Sequence, residues 1–307
     1  WKAIWKRKWM FLQVQVNLPQ AGTQTYLLPL ALAWEEDGLE TMEARLPDAF
    51  CESVVSLLPT QEPPGRRGGR PAIPHAVVLK VIWFVLTVGC RWKDIPREFG
   101  CCGETARRRL KLWQELGVWQ RVHLRLLSLL RQRGCLSGSV VLIDSTHVRA
   151  FGGGDRSGPS PVDRRKLGTK LTLLTDLRGT PLVLRSAPAH FSDHREILPT
   201  VAAYPSIGGQ PGRPRQLPDL LFADAGYDSQ ASREALSAQG IDSAIRFRNR
   251  PHGSHLGRFR WPVERTFSWI KGLRRMRIRY GRHPTLIDAW QQLTLAAICF
   301  RILHPNY

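Results

Sequence analysis

Acidic side chains are scarce in this sequence: 25 Asp and Glu stand against 45 Lys and Arg, a formal net charge of +20 over 307 residues. A polyanion is therefore the default partner. Metal-type cysteine spacing is also missing. The six cysteines (Cys51, Cys90, Cys101, Cys102, Cys135 and Cys299) form no Cys-x-x-Cys pair, which excludes a zinc finger and reads as buried free thiols in a reducing compartment. No Gly-rich loop runs into Lys-Ser or Lys-Thr, so ATP is not expected. The longest apolar run, Val77 to Val88, is broken by Lys80 and too short for a bilayer, and it reads as a buried helix. No membrane partner is expected, which leaves nucleic acid. Hydrophobic residues still make up 43%, enough for a core, so the chain is not a disordered basic tail.

One stretch concentrates the imbalance. Between Arg246 and Arg282 there are twelve Lys or Arg and a single acid, Glu264. A lone acid in such a field is either a helix counterion or a group that handles a polyanion. The rest of the chain supplies the context.

Residues 1–46 differ in character from the remainder of the chain, with Trp1, Trp5 and Trp9 set among Lys and Arg. They are too polar for a signal peptide. They are expected to be a non-native or disordered extension, with Met42 as the start. From Pro47 the pattern becomes orderly. Asp48 is expected to cap a helix over 50–58, and Pro63–Pro71 is a loop by composition, with Arg66, Arg67 and Arg70 either on phosphates or solvated. A helix over 75–89 comes next, then a short turn, then a helix over 104–116 that carries Arg107, Arg108, Arg109 and Lys111. This arrangement suits a helix-turn-helix-like DNA binder over 47–136.

After Gly138 the period changes. Val140–Ile143 is a buried strand that ends on Asp144, and Leu220–Ala223 is another that ends on Asp224. Strands over 170–176 and 180–187 form a hairpin around Arg178-Gly179, and a strand is expected over 243–247. Helices over 192–204, 229–239, 263–274 and 285–303 alternate with them. Residues 137–307 therefore read as an α/β layer. A carboxylate at the carboxyl end of a buried strand sits at the mouth of such a sheet, where ligands bind. Taken singly such an Asp is more often a turn cap. Two in the same context, together with Glu264, suit Mg²⁺, which takes a few carboxylates and keeps phosphate oxygens and waters as its other ligands. Other candidates read as structural: His147 as a strand or loop residue, Asp176 in the hairpin turn, His190 as a turn residue, Asp193 as an N-cap, and Asp228 as the cap of the next helix.

These residues resemble bacterial insertion-sequence transposases of the DDE class, in particular the family-five branch of the family four/five group. Arg260, Glu264 and Lys271 fall at the spacing of the family's C-terminal signature. Ile143-Asp144-Ser145-Thr146-His147-Val148-Arg149-Ala150 resembles the first Asp motif, and Ala223-Asp224-Ala225-Gly226-Tyr227-Asp228-Ser229 the second. Gly89–Gly100 resembles the helical N-terminal domain. Gly257 stands where the signature carries Tyr, and Ala225 where relatives often carry a basic residue.

The resemblance implies an RNase-H-like catalytic core over 137–307, a mixed sheet flanked by helices, after the all-α region. It implies an enzyme that cleaves DNA at element ends and transfers the 3′-OH ends to target DNA. Asp144, Asp224 and Glu264 would be catalytic and metal ligands for two Mg²⁺ (or Mn²⁺) ions. Arg260, Lys271, Arg265, Arg274, Arg275, Arg107 and Arg108 would contact double-stranded DNA, both terminal inverted repeats and target. A homodimer on DNA and a cytoplasmic, nucleoid-associated location follow from the same resemblance. The competing readings are a decayed or repurposed transposase that only binds specific DNA, and a structural nucleic-acid packer.

Overall fold

The computed structural model describes residues 3–6, 9–18, 22–30, 46–61, 71–248 and 257–305. Within the expected extension, β1 (Ala3–Lys6), β2 (Trp9–Leu18) and β3 (Gly22–Leu30) pair as an antiparallel meander. Met42 and the arginines of the expected loop, Arg66, Arg67 and Arg70, lie outside the described residues.

The helical half opens with α1 (Asp48–Val55). Pro47, with φ −63°, takes the N-cap position, so Asp48 begins the first turn instead of capping it. An acid there still favours the positive end of the helix dipole. Helix α2 (His75–Val88) is apolar and mostly buried, and it stops at Gly89 in a left-handed conformation (φ +76°). A Cβ at Gly89 would also come within 3.0 Å of the Arg274 Cβ, so the turn and the close approach both require glycine. Two 3₁₀ turns, Trp92–Asp94 and Arg97–Phe99, lead to α3 (Gly103–Glu115) and α4 (Val118–Gln132).

The second half holds β4 (Val140–Ala150), β5 (Gly158–Pro159), β6 (Leu167–Asp176), β7 (Pro181–Pro188), α5 (Asp193–Ala202), β8 (Leu220–Ala223), α6 (Gln230–Ala238), β9 (Asp242–Ile245), α7 (Gly257–Gly272), α8 (Arg274–Arg277), β10 (Ile278–Arg279) and α9 (Pro284–Leu303). Strand β4 runs six residues beyond its expected end at Asp144, because β6 ladders it as far as Arg149↔Gly168. The hairpin turns where expected. The buried Asp176 carboxylate accepts from the Arg178 and Thr180 amides at 3.0 and 2.8 Å, and burial pushes its pKa up to about 6.

The main strands lie in the order β7-β6-β4-β8-β9. β6 and β7 run antiparallel to their neighbours, and β8 and β9 run parallel to β4. The short β5 pairs with β6 and β10 with the end of β4. Alternate residues of β4 show what covers each face. Ser145 bonds Asp193 of α5, whereas Thr146 bonds Lys271 of α7, so these helices lie on opposite faces. A mixed five-stranded sheet with helices on both sides is the RNase-H-like arrangement that the resemblance implies.

Helix α9 joins the halves. It packs on α3 and α4 as well as β7 and α7, and one hydrophobic core runs without a break across residue 136. By length and composition α9 could cross a membrane, but 78% of that window is buried inside the protein. All six cysteines are unpaired; Cys101 and Cys299 are buried, and Cys102 is exposed rather than buried as expected.

Candidate active site

Strand register brings two of the three expected carboxylates together. β4 and β8 pair in parallel through Val140↔Leu220, Val141↔Leu221 and Leu142↔Phe222. The same one-to-one register, carried two residues on, sets Asp144 beside Asp224, and neighbouring strands lie about 4.8 Å apart. Asp224 is still extended (φ −80°, ψ 179°), and its Oδ1 accepts from the Gly226 amide at 2.8 Å, which opens the 3₁₀ turn over Ala225–Tyr227. Asp144 accepts from the Ser145 amide at 2.8 Å. Both side chains are partly exposed.

Glu264 comes from α7. That helix is pinned to the β6–β7 turn, where Thr266 Oγ1 donates to Gly179 O at 2.6 Å and Arg265 bonds Arg178 O. At its other end Lys271 Nζ donates to Thr146 Oγ1 at 3.0 Å, two residues past Asp144. Glu264 and Lys271, seven residues apart, share one stripe of the helix. Thr146 points to the same sheet face as Asp144, so the stripe and Asp144 share that face. Glu264 is exposed. Among the described residues no three His, Cys, Asp or Glu side chains gather tightly enough to hold one ion.

The donor chemistry nevertheless fits a hard divalent cation. Asp144 in β4 and Asp224 just past β8 are neighbouring oxygen donors, the kind a hard cation takes. His147, the nearest imidazole in sequence, is turned away to Ala189 O at 3.2 Å, and burial lowers its pKa.

The expected DNA contacts divide. Arg108 is 76% exposed and shares Glu104 with Arg107, at 3.0 and 2.7 Å. Arg274 is exposed. Arg265 instead lies between Trp261 and Trp269, 4.6 and 4.5 Å from the ring centres. Arg275 lies over Tyr280 and Trp290 and donates to Cys90 O at 3.4 Å. Burial lowers the pKa of both guanidiniums. These two are therefore packing residues in this fold, because their planar faces are covered by aromatic rings. The Arg260 side chain lies outside the described residues.

Two residues near the aspartates differ from their sequence reading. Asp193 is not the cap of α5; Ser192 holds that position. The Asp193 Oδ1 accepts from Ser145 Oγ and from Lys170 Nζ, each at 2.7 Å. Burial works against its charge, but the Lys170 and Ser145 bonds prevail and hold its pKa below the usual carboxylate range. Asp228 does not cap α6 either. It accepts from Arg233 at 2.7 Å and from the Arg248 amide at 2.9 Å. The Arg248 side chain also donates to Ala225 O and Gly226 O, strapping the turn that carries Asp224. Nothing in local spacing marks Asp193 or Arg248, since their partners lie twenty or more residues away.

Comparison with known proteins decides what this sheet belongs to. Residues 136–300 match the family model described as a transposase DDE domain, and residues 46–123 match one for transposases of the IS4/5 family. The chain belongs to the DDE transposase family. These are enzymes that cleave and transfer DNA strands. The transposase is 41% identical over 151 residues to a protein named as the transposase of insertion sequence element IS402 of Burkholderia cepacia, covering 49% of this chain and 72% of that one. It is 39% identical over 116 residues to an uncharacterized 16.2 kDa protein of the same element and organism, covering 37% of this chain and 79% of that one. The catalytic domain of the Mos1 mariner transposase is a looser likeness, with a TM-score of 0.32 at 13% identity over 64% of this chain and 87% of that one. At that TM-score the likeness decides nothing; the strand order and the family match carry the fold.

Proposed function

We propose that this transposase binds the ends of its insertion element, cleaves DNA there and joins the 3′-OH ends to target DNA. The observation that supports this is the β4–β8 register, which, carried two residues past its last pair, brings Asp144 next to Asp224. Asp144 and Asp224 would hold a divalent cation, Mg²⁺ or Mn²⁺, with Glu264 as the third carboxylate and two ions in all. Such ions, when bound, activate the attacking oxygen and stabilise the leaving one. Lys271, fixed beside Asp144 through Thr146, holds the phosphate next to the cut. Arg274 on the second half, and Arg107 and Arg108 on α3, bind the DNA backbone and displace its counterions. Arg260 belongs with them by its place in the signature. The helices over 47–136 form the DNA-binding part and residues 137–307 the catalytic part. The protein works as a homodimer that pairs two ends, on DNA in the cytoplasm.

Cleavage of DNA carrying the element's ends tests the proposal. Nicking is expected with MgCl₂ or MnCl₂ and not with EDTA. Asp144→Ala, Asp224→Ala and Glu264→Ala should each lower it by more than about a thousandfold, ~4 kcal/mol of barrier, with end binding kept. Nicking that survives Asp144→Ala would sink the catalytic assignment. Specific end binding without any nicking would support the DNA-binding-only reading, and binding without preference for ends the packing one.

A further inference from the structure

The cluster behind the two aspartates does more than a helix start requires. Asp193 is the first residue of α5, and its Oδ1 takes two hydrogen bonds from separate strands, Ser145 Oγ of β4 and Lys170 Nζ of β6. Its Oδ2 faces the turn after β8. A Cβ built on Gly226 would lie 3.0 Å from Asp193 Oδ2 and 3.0 Å from Asp224 Oδ1, so the two carboxylates border one glycine. A single side chain thus touches the residue next to Asp144, the strand beside it, and the turn that carries Asp224. Tyr227 closes the space. It is 1% exposed, and its hydroxyl stands near Ser145 and close to the carboxylates of Asp193, Asp144 and Asp224.

A plain structural ion pair does not account for this arrangement. Lys170 is 4% exposed, and desolvating an ammonium costs several kcal/mol unless it is paired. An apolar pair of similar volume would commonly be as stable. What Lys170 and Asp193 supply and an apolar pair could not is a directed bond to Ser145 and a fixed carboxylate edge beside Asp224.

We propose that Asp193 is the positioning residue of the active site: from the opposite face of the sheet it fixes Asp144, through Ser145, relative to Asp224, through the Gly226 turn, with Lys170 holding it in place. Its role is positioning rather than ligation because its Oδ1 is taken by Ser145 and Lys170. This inference rests on the reading of Asp144 and Asp224 as metal ligands. Groups that orient ligating side chains typically change metal affinity or activity by about 10–100-fold when removed.

The test uses the full chain and Asp193→Asn, with two readouts: the MnCl₂ concentration at half-maximal nicking, and the rise in Tm on adding MnCl₂ to protein first measured in EDTA. Asp193→Asn should raise the half-saturating MnCl₂ about tenfold or more and shrink the Mn²⁺-induced Tm rise, with end binding within about twofold of wild type. Lys170→Met should shift both readouts in the same direction, and the double variant should be no worse than the stronger single one, since the pair acts as a unit. If Asp193→Asn does not fold, Ser145→Ala, which deletes one of the bonds, should raise half-saturation by roughly two- to fivefold. Wild-type half-saturation in whichever of these variants folds overturns the inference. So does a variant whose Tm falls in EDTA but whose Mn²⁺-induced rise is intact, because that is a purely structural role. A wild-type protein with no Mn²⁺ response at all overturns the metal reading of Asp144 and Asp224 and this inference with it, whereas a responsive wild type beside an unaltered variant overturns this inference alone.

Discussion

On α3, Arg107 and Arg108 lean on the single carboxylate of Glu104, and Arg108 keeps 76% of its surface open to solvent. On α7 and just beyond it, Arg265 lies between two tryptophans and Arg275 covers Tyr280 and Trp290 while reaching back to Cys90. Both helices are basic, and the second stretch carries far more cations per acid. Charge density alone would therefore put the stronger DNA-binding surface on α7. The packing says otherwise for these arginines. A guanidinium stacked on an indole is held by its flat face and by apolar contact, and it has few donors left for phosphate. On α3, Arg108 is exposed and Arg107, Arg109 and Lys111 are partly exposed, with no aromatic ring over any of them among the described residues. Net charge predicts a polyanionic partner, but exposure decides which cations meet it.

Arg265→Ala should break this comparison most visibly. It removes two cation–π contacts and a charged hydrogen bond to Arg178 O, so stability should fall by about 2–3 kcal/mol in urea unfolding. The salt dependence of DNA binding should stay at the wild-type slope. A variant as stable as wild type with a shallower salt slope would return Arg265 to the DNA-contacting set.

Lys271→Met comes next. Its ammonium reaches the aspartate face through Thr146. Nicking should slow by about 10–100-fold, ~1.4–2.7 kcal/mol, while end affinity changes by less than about threefold. An equal loss in affinity and rate would mean that Lys271 holds DNA in general rather than the phosphate at the cut.

The comparison also shows what could be read from sequence. Asp144 and Asp224 were legible because each closes a short apolar run, and such a run has few folds open to it besides a buried strand. The strand–helix alternation likewise gave the α/β layer. The spacing of Arg265 contained its fate as well: Trp261, Arg265 and Trp269 stand four residues apart, so a helix stacks them on one face. Asp193 was not legible. A short polar residue before a helix looks like a cap, and the partners that redefine it come from β4 and β6 through sheet pairing 48 and 23 residues away. Asp48 was displaced from its expected cap by Pro47, whose fixed φ suits the position just outside the helix. The extent of β4 was missed because the polar residues after Asp144 are held by the partner strand and not by their own hydrophobicity.

The smallest effect should come from Arg108→Ala, and it sharpens the comparison from the other side. Arg108 lies on the exposed face of α3, 3.0 Å from a Glu104 carboxylate that Arg107 holds as well. Losing one of two partners costs an exposed acid little, since solvent screens the pair. Stability should stay within about 0.5 kcal/mol of wild type. If Arg108 neutralises a phosphate, the slope of log affinity against log salt should fall by about one, and affinity should drop for specific and unrelated DNA alike. Loss confined to the element's own ends would instead make Arg108 a reader of base edges, because a phosphate contact has no means of telling sequences apart. No change in slope would mean that Glu104 has already neutralised Arg108, and that the open cations of α3 serve the helix and not the DNA.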